Sequence, residues 1–159
     1  MIIQIQNILQ ESKNTVEKTI KSEQIIKNLN AVVEIIFNAF SAGNKILLCG
    51  NGGSAADAQH IAAELTGRFF KDRTALFAEA LHVNSSYMTA VANDYGFEKT
   101  YSRLLEAKAD KGDVLIAIST SGNSQNIVNA VKKAKEIGMS TISFTGQNDS
   151  KIKELSQFC

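Results

Sequence analysis

The sequence contains no proline, so no residue of that kind breaks its helices, and it has only two cysteines, Cys49 and Cys159. Two are too few for a disulfide framework, and Cys49 sits in an apolar run. Thiols in a reducing compartment are the simplest reading. Long hydrophobic stretches are missing too: none approaches the ~18 residues that a membrane span needs. The opening MIIQIQNILQES has no basic stretch and interleaves apolar with polar residues, unlike a secretory leader. Neither sign of charge is in excess, with Lys+Arg 17 against Asp+Glu 16. Composition therefore gives no general pull towards nucleic acid or membrane. The expectation is a cytoplasmic protein that binds neither.

What is present is an ordinary globular chain of 159 residues, 44% hydrophobic, enough for one domain over 1–159 with a sizeable core. Residues 1–41 form a helical segment: Ile25, Ile26, Leu29, Val32, Val33, Ile36, Phe37 and Phe40 recur at spacings of three and four, and Gly43 stops the run. From 44 to 159 strands and helices alternate. Strands are expected at 45–49, 74–83, 113–118 and 140–145. Helices are expected over about 54–68, 84–95, 97–109 and 124–137, with another starting near 149. Strands separated by helices of this length imply right-handed crossovers and a parallel sheet. Near-continuous apolar strands mean that both faces are covered. The fold class is α/β, a three-layer doubly wound parallel sheet of flavodoxin-like type. In such sheets ligands bind beyond the carboxyl ends of the strands.

Two loops stand at those ends. Gly50, Asn51, Gly52, Gly53 and Ser54 follow the first strand, and Ser119, Thr120, Ser121, Gly122, Asn123 and Ser124 follow the third; each leads into a helix. Glycine lets the backbone approach a ligand closely, and a helix N-terminus offers unpaired N–H groups with partial positive charge. Ser119, Thr120, Ser121 and Ser124 add four hydroxyls. Together these suit a phosphate, although N-caps and turns use the same residues. Gly50, Gly52 and Ala55 also fit G-x-G-x-x-A, a dinucleotide fingerprint. No acid follows the second strand, where the chain reads Leu81, His82, Val83, Asn84, so no nucleotide cofactor is expected. A Walker A loop fails because no lysine follows the glycines.

The helix expected over 54–68 carries His60, Glu64 and Arg68 at i, i+4 and i+8, along one face. Its other residues are largely alanine. A carboxylate there would be partly desolvated and suited to act as a base near neutral pH, and Glu64 is expected beside Asn51–Gly53. His60 and Glu64 could also share a divalent metal, but two ligands do not make a site. A solvated salt bridge fits the same spacing.

The segments C-G-N-G-G-S-A-A-D-A-Q-H (49–60), A-A-E-L-T-G-R-F (62–69), N-D-Y-G-F (93–97) and I-S-T-S-G-N-S (118–124) resemble the phosphoheptose isomerases of the SIS (sugar isomerase) domain family. The likeness spans nearly the whole chain. It implies a five-stranded parallel sheet and conversion of sedoheptulose 7-phosphate to a heptose 7-phosphate for lipopolysaccharide. It implies a homotetramer with the N-terminal helix between subunits and active sites at interfaces. By this resemblance Asn51, Gly52 and Gly53 form the substrate turn and Ser54 caps the adjoining helix. Ser119, Thr120, Ser121 and Ser124 bind phosphate, Asn93 and Asp94 contact the sugar, and Arg68 joins the active site. Glu64 is the catalytic carboxylate, and His60 and Glu64 are two ligands of a zinc found in some members. Residues 82–86 depart from the family's Thr/Asp-rich turn. Family members add a further strand and a C-terminal helix whose Gln and His supply the second acid/base group and the remaining zinc ligands. Those positions lie beyond Cys159, so the natural chain is expected to continue. Without them the chain would be inactive and would expose an apolar edge beside the fourth strand. The alternative is a non-catalytic sugar-phosphate-binding module or an adaptor for the replication initiator DnaA. Adaptors of that kind lack the Glu of A-A-E-L.

Overall fold

The computed structural model describes residues 1–146 and 149–159. They divide into two compact units, Met1–Glu34 and Ile35–Cys159.

The first unit is helical. Helix α1 runs Ile2–Lys21 and buries none of its residues. Ile2, Ile5, Leu9, Val16 and Ile20 form an exposed apolar stripe on it. The chain leaves helical geometry at Ser22, whose hydroxyl accepts from Ile25 N at 3.3 Å, and α2 (Glu23–Ser41) begins. The expected helical segment is thus two helices.

The second unit holds the sheet: β1 (Ile46–Gly50), β2 (Ala78–Ala80), β3 (Val114–Ser119) and β4 (Ser140–Thr145), all parallel, in the order β2-β1-β3-β4. β1 and β3 are fully buried because both faces are covered. Leu47, Cys49, Leu115 and Ala117 face a core closed by α5 (Thr100–Lys108) and α6 (Gln125–Ile137), through Tyr101, Leu104, Leu105, Ile127, Val128 and Val131. The alternate residues Leu48 and Ile116 point the other way. There α3 (Gly53–Thr66) packs on β1 and β2 and buries Ala58 and Ala62. Three layers result. Beyond β4, Phe158 pairs in parallel with Ile142, so a fifth strand position is marked next to β4. Among the described residues no helix is long and apolar enough to cross a membrane.

One expected strand needs correction. The stretch 74–83 contributes only Ala78–Ala80. β2 is an edge strand with a single neighbour, and the chain before it is tied mainly to α3: the Arg73 guanidinium donates to Thr74 O (3.1 Å) and to Glu64 O (3.1 Å), and Leu76 N donates to Leu65 O (3.3 Å). Helix α4 (Ser85–Tyr95), a 3₁₀ turn (Phe97–Lys99) and α5 are separated at Gly96 (φ 89°), and α7 (Lys151–Leu155) is a short helix ahead of Phe158.

Candidate active site

The two central strands end together: Gly50 is paired with Ile118, and both loops open from that level. At Gly50 a Cβ would collide with the backbone of Ser54, so only glycine lets α3 start so close to the strand. Gly52 takes φ 55° and serves as N-cap. Helix α3 therefore starts at Gly53, and Ser54 does not cap it as expected; no side chain caps this end. Ser54 instead turns towards the second loop.

That loop is folded on its own hydroxyls. Gly122 N donates to Ser119 O (2.9 Å) and Oγ (3.2 Å), Asn123 N donates to Ser121 Oγ (3.3 Å), and Ser119 Oγ reaches Ser124 Oγ at 3.4 Å. Gly122 has φ 62°, and a Cβ there would strike Ser150. The β4–α7 segment braces the loop from behind, through Gly146 N to Thr120 O (3.0 Å) and Ile152 N to Gly122 O (3.1 Å). Ser124 is the N-cap of α6. Asn51, Ser54, Ile118, Ser119, Thr120, Ser121 and Ser124 then line one cavity of about 220 Å³. Five hydroxyl-bearing side chains and a helix N-terminus converge there, an arrangement suited to a phosphate group.

Two residues that the motif reading passed over hold the loops together. Asn51 and Asn126 exchange reciprocal amide hydrogen bonds, each 2.9 Å. The Tyr101 hydroxyl donates to Gly50 O. Burial pushes the Tyr101 phenol well above its ordinary value, so it remains a donor. Burial likewise pushes the Cys49 thiol up to about 12. The signal available in the sequence was a polar residue at the start of the helix, directly before the apolar Ile127 and Val128.

The remaining candidates lie elsewhere. Gly52 and Gly53 form the exposed turn beside the cavity. Asn93 and Asp94 sit exposed on the last turn of α4, bonded to each other at 2.9 Å. Helix α3 ends at Thr66, so Arg68 is off the helix and the expected three-residue stripe stops at Glu64. Glu64 faces His60 at 3.4 Å, with side-chain exposures of 41% and 74%. The alanine-rich helix does not enclose the carboxylate. Nor does Glu64 stand beside Asn51–Gly53: it is eleven residues along an unbroken helix from Gly53, about 16 Å of axial rise. Among the described residues no three His, Cys, Asp or Glu side chains gather as a metal site. His60 and Glu64 offer two donors, which do not by themselves fit a zinc ion. His82, past β2, has both ring nitrogens buried without a partner among the described residues, and burial lowers its pKa. A larger cleft of about 410 Å³, bounded by Tyr95, Arg103 and Lys132, includes none of these candidates.

Comparison with known proteins agrees with this layout. The SIS domain model matches residues 9–146. A phosphoheptose isomerase of Clostridium acetobutylicum is 52% identical over 142 residues, 89% of this chain and 72% of that protein. One from Aquifex aeolicus is 47% identical over 99% of this chain and 82% of its own length. The structure of a phosphoheptose isomerase from Neisseria gonorrhoeae superposes with a TM-score of 0.89 at 40% identity, over 97% of this chain and 79% of that one. By fold, by loop chemistry and by these likenesses, the chain belongs to the SIS domain family and, within it, to the phosphoheptose isomerases.

Proposed function

We propose that the protein interconverts sedoheptulose 7-phosphate and D-glycero-D-manno-heptose 7-phosphate, supplying heptose for lipopolysaccharide in the cytoplasm. The observation that carries this reading is the hydroxyl-lined cavity at the head of α6. The phosphate docks among Ser119, Thr120, Ser121 and Ser124 and fixes the sugar for reaction, which lowers the entropic cost. Asn51–Gly53 bound the sugar's approach, and Asn93, Asp94 and Arg68 are offered as further sugar contacts. A base removes the proton from C1 of the ketose, giving an enediol, and the proton returns at C2. A second group carries the hydroxyl proton from O1 to O2. Glu64 is the base.

Because Glu64 and the cavity stand at opposite ends of α3, we place the reaction in a homo-oligomer, a tetramer by family resemblance, in which one copy's Glu64 serves a neighbour's cavity. The exposed apolar stripe on α1 supports association. For a zinc ion His60 and Glu64 would supply two donors.

The test uses two full-length variants, Glu64→Gln and the double Ser121→Ala/Ser124→Ala. Loss of a general base typically costs about 10²–10⁴-fold in rate. Glu64→Gln should therefore bind substrate while turning over slowly, and the serine double variant should bind poorly. Co-expressed in one oligomer, the two should regain activity. Near-wild-type turnover by Glu64→Gln alone would remove it from the role, and no recovery on mixing would remove the shared site.

A further inference from the structure

We infer that Asn126 is a positioning residue: its amide sets the orientation of Asn51 and the spacing between the sugar turn and the phosphate loop. The inference rests on the isomerase reading and deepens it. Asn126 is 3% exposed, the second residue of α6, under a loop that is itself open to solvent. Its Nδ2 donates to Asn51 Oδ1 and its Oδ1 accepts from Asn51 Nδ2, both at 2.9 Å. The same Oδ1 accepts from Ile127 N at 3.0 Å. Asparagine χ2 is a broad, roughly two-fold torsion. A free Asn51 would present its N–H or its C=O to the sugar with little preference. Ile127 N fixes which way the Asn126 amide points, and the reciprocal pair passes that orientation to Asn51, leaving one hydrogen on Asn51 Nδ2 and one lone pair on Oδ1 for the substrate.

The pair also spans the site. Asn51 follows β1 and Asn126 belongs to the helix that the phosphate loop feeds, 75 residues away in sequence. On the far side of the turn Tyr101 holds Gly50 O. The sugar turn is therefore fixed at two successive residues, one bond to α5 and two to α6. A substrate anchored by phosphate at 119–124 meets a turn that cannot shift independently of that anchor. A misplacement of about 1 Å can cost on the order of 10²-fold in rate. Asn126 touches no substrate in this account. It acts through Asn51.

The test is a double-mutant cycle in the full-length protein with Asn51→Ala, Asn126→Ala and both together. The kcat for sedoheptulose 7-phosphate and the inhibition constant of inorganic phosphate are measured for each. Asn126→Ala should lower kcat about 10–100-fold while phosphate inhibition stays within about 3-fold of wild type, since the loop hydroxyls are intact. The double variant should be no slower than Asn51→Ala alone, because the two act as a unit. Multiplying losses, or a loss of phosphate affinity as large as the loss of kcat, would overturn the inference. A purely structural asparagine would give the second result. Side-chain amide NMR of the phosphate-bound protein gives a readout that needs no turnover and no folded Asn126 variant. In Asn51→Ala the Asn126 Nδ2 resonances should move, and unmoved resonances would overturn the pairing. If wild type turns over no sugar phosphate, the isomerase reading falls, and the resonances still decide whether the clamp exists.

Discussion

Asp113 secures the entry to β3 without touching the site. Its side chain is buried, and it accepts from Lys45 N (3.0 Å), from Asp110 N (2.8 Å) and from the Lys45 ammonium at 2.7 Å. Burial alone would raise its pKa, but the Lys45 ammonium and the two backbone N–H groups outweigh it and hold the carboxyl below its ordinary value. A carboxyl whose folded pKa is depressed stabilises the fold above its unfolded pKa, near 4, and loses that contribution as pH falls through the folded value. Asp113→Asn leaves Lys45 without its buried partner and should cost about 3 kcal/mol at pH 7. Urea unfolding of both proteins should show the gap closing below about pH 4. A gap that persisted unchanged into acid would mean that charge is not what Asp113 contributes. Legibility at this scale was uneven. Asn51, Ser119 and Ser124 could be placed from sequence because strand ends in a parallel sheet are where ligands go. Asn126 could not, because its role is a side-chain pairing across 75 residues. The place of Arg68 on the helix face was misjudged because spacing says nothing about where a helix stops, and α3 ends at Thr66.

Among the elements, β1 and β3 were readable because their continuous apolar runs leave little alternative for a buried parallel strand, and β4 because its β-branched and aromatic residues follow the helix stop at Gly138. β2 was overdrawn: only Ala78–Ala80 pair with β1, and the chain before them is tied to α3 instead, through Arg73 to Glu64 O and Leu76 N to Leu65 O. The loop between β3 and α6 is the element on which the proposed phosphate binding depends. Its glycine is irreplaceable in shape, its serines are bonded to one another, and α6 supplies the dipole. Ser121→Ala with Ser124→Ala should leave far-UV circular dichroism unchanged, because backbone bonds from Gly146 and Ile152 still brace the loop. Calorimetric titration should show phosphate binding weakened by about 10-fold or more, two hydroxyl hydrogen bonds at roughly 1 kcal/mol each. Undiminished phosphate affinity would move the anion site away from this loop.

For the molecule as a whole, the doubly wound order was legible and the relation of base to cavity was not. The sequence places Glu64 and Asn51 on adjoining elements, but a straight helix converts eleven residues into a separation that no local motif shows. The structure places the hydroxyl-lined cavity and Glu64 at opposite ends of α3, and the homo-oligomer proposed above is a physical way to join them. The central claim is aldose–ketose isomerisation, and an enediol leaves a mark that binding alone does not. The full-length protein incubated with sedoheptulose 7-phosphate in D₂O, followed by proton NMR, should produce the aldose with deuterium at C2 whenever the base exchanges with solvent before reprotonation. Aldose formation that Glu64→Gln slows by about 10²-fold or more is the expected result. An intact oligomer that binds the sugar phosphate yet forms no aldose would contradict the account and leave a binding module in its place.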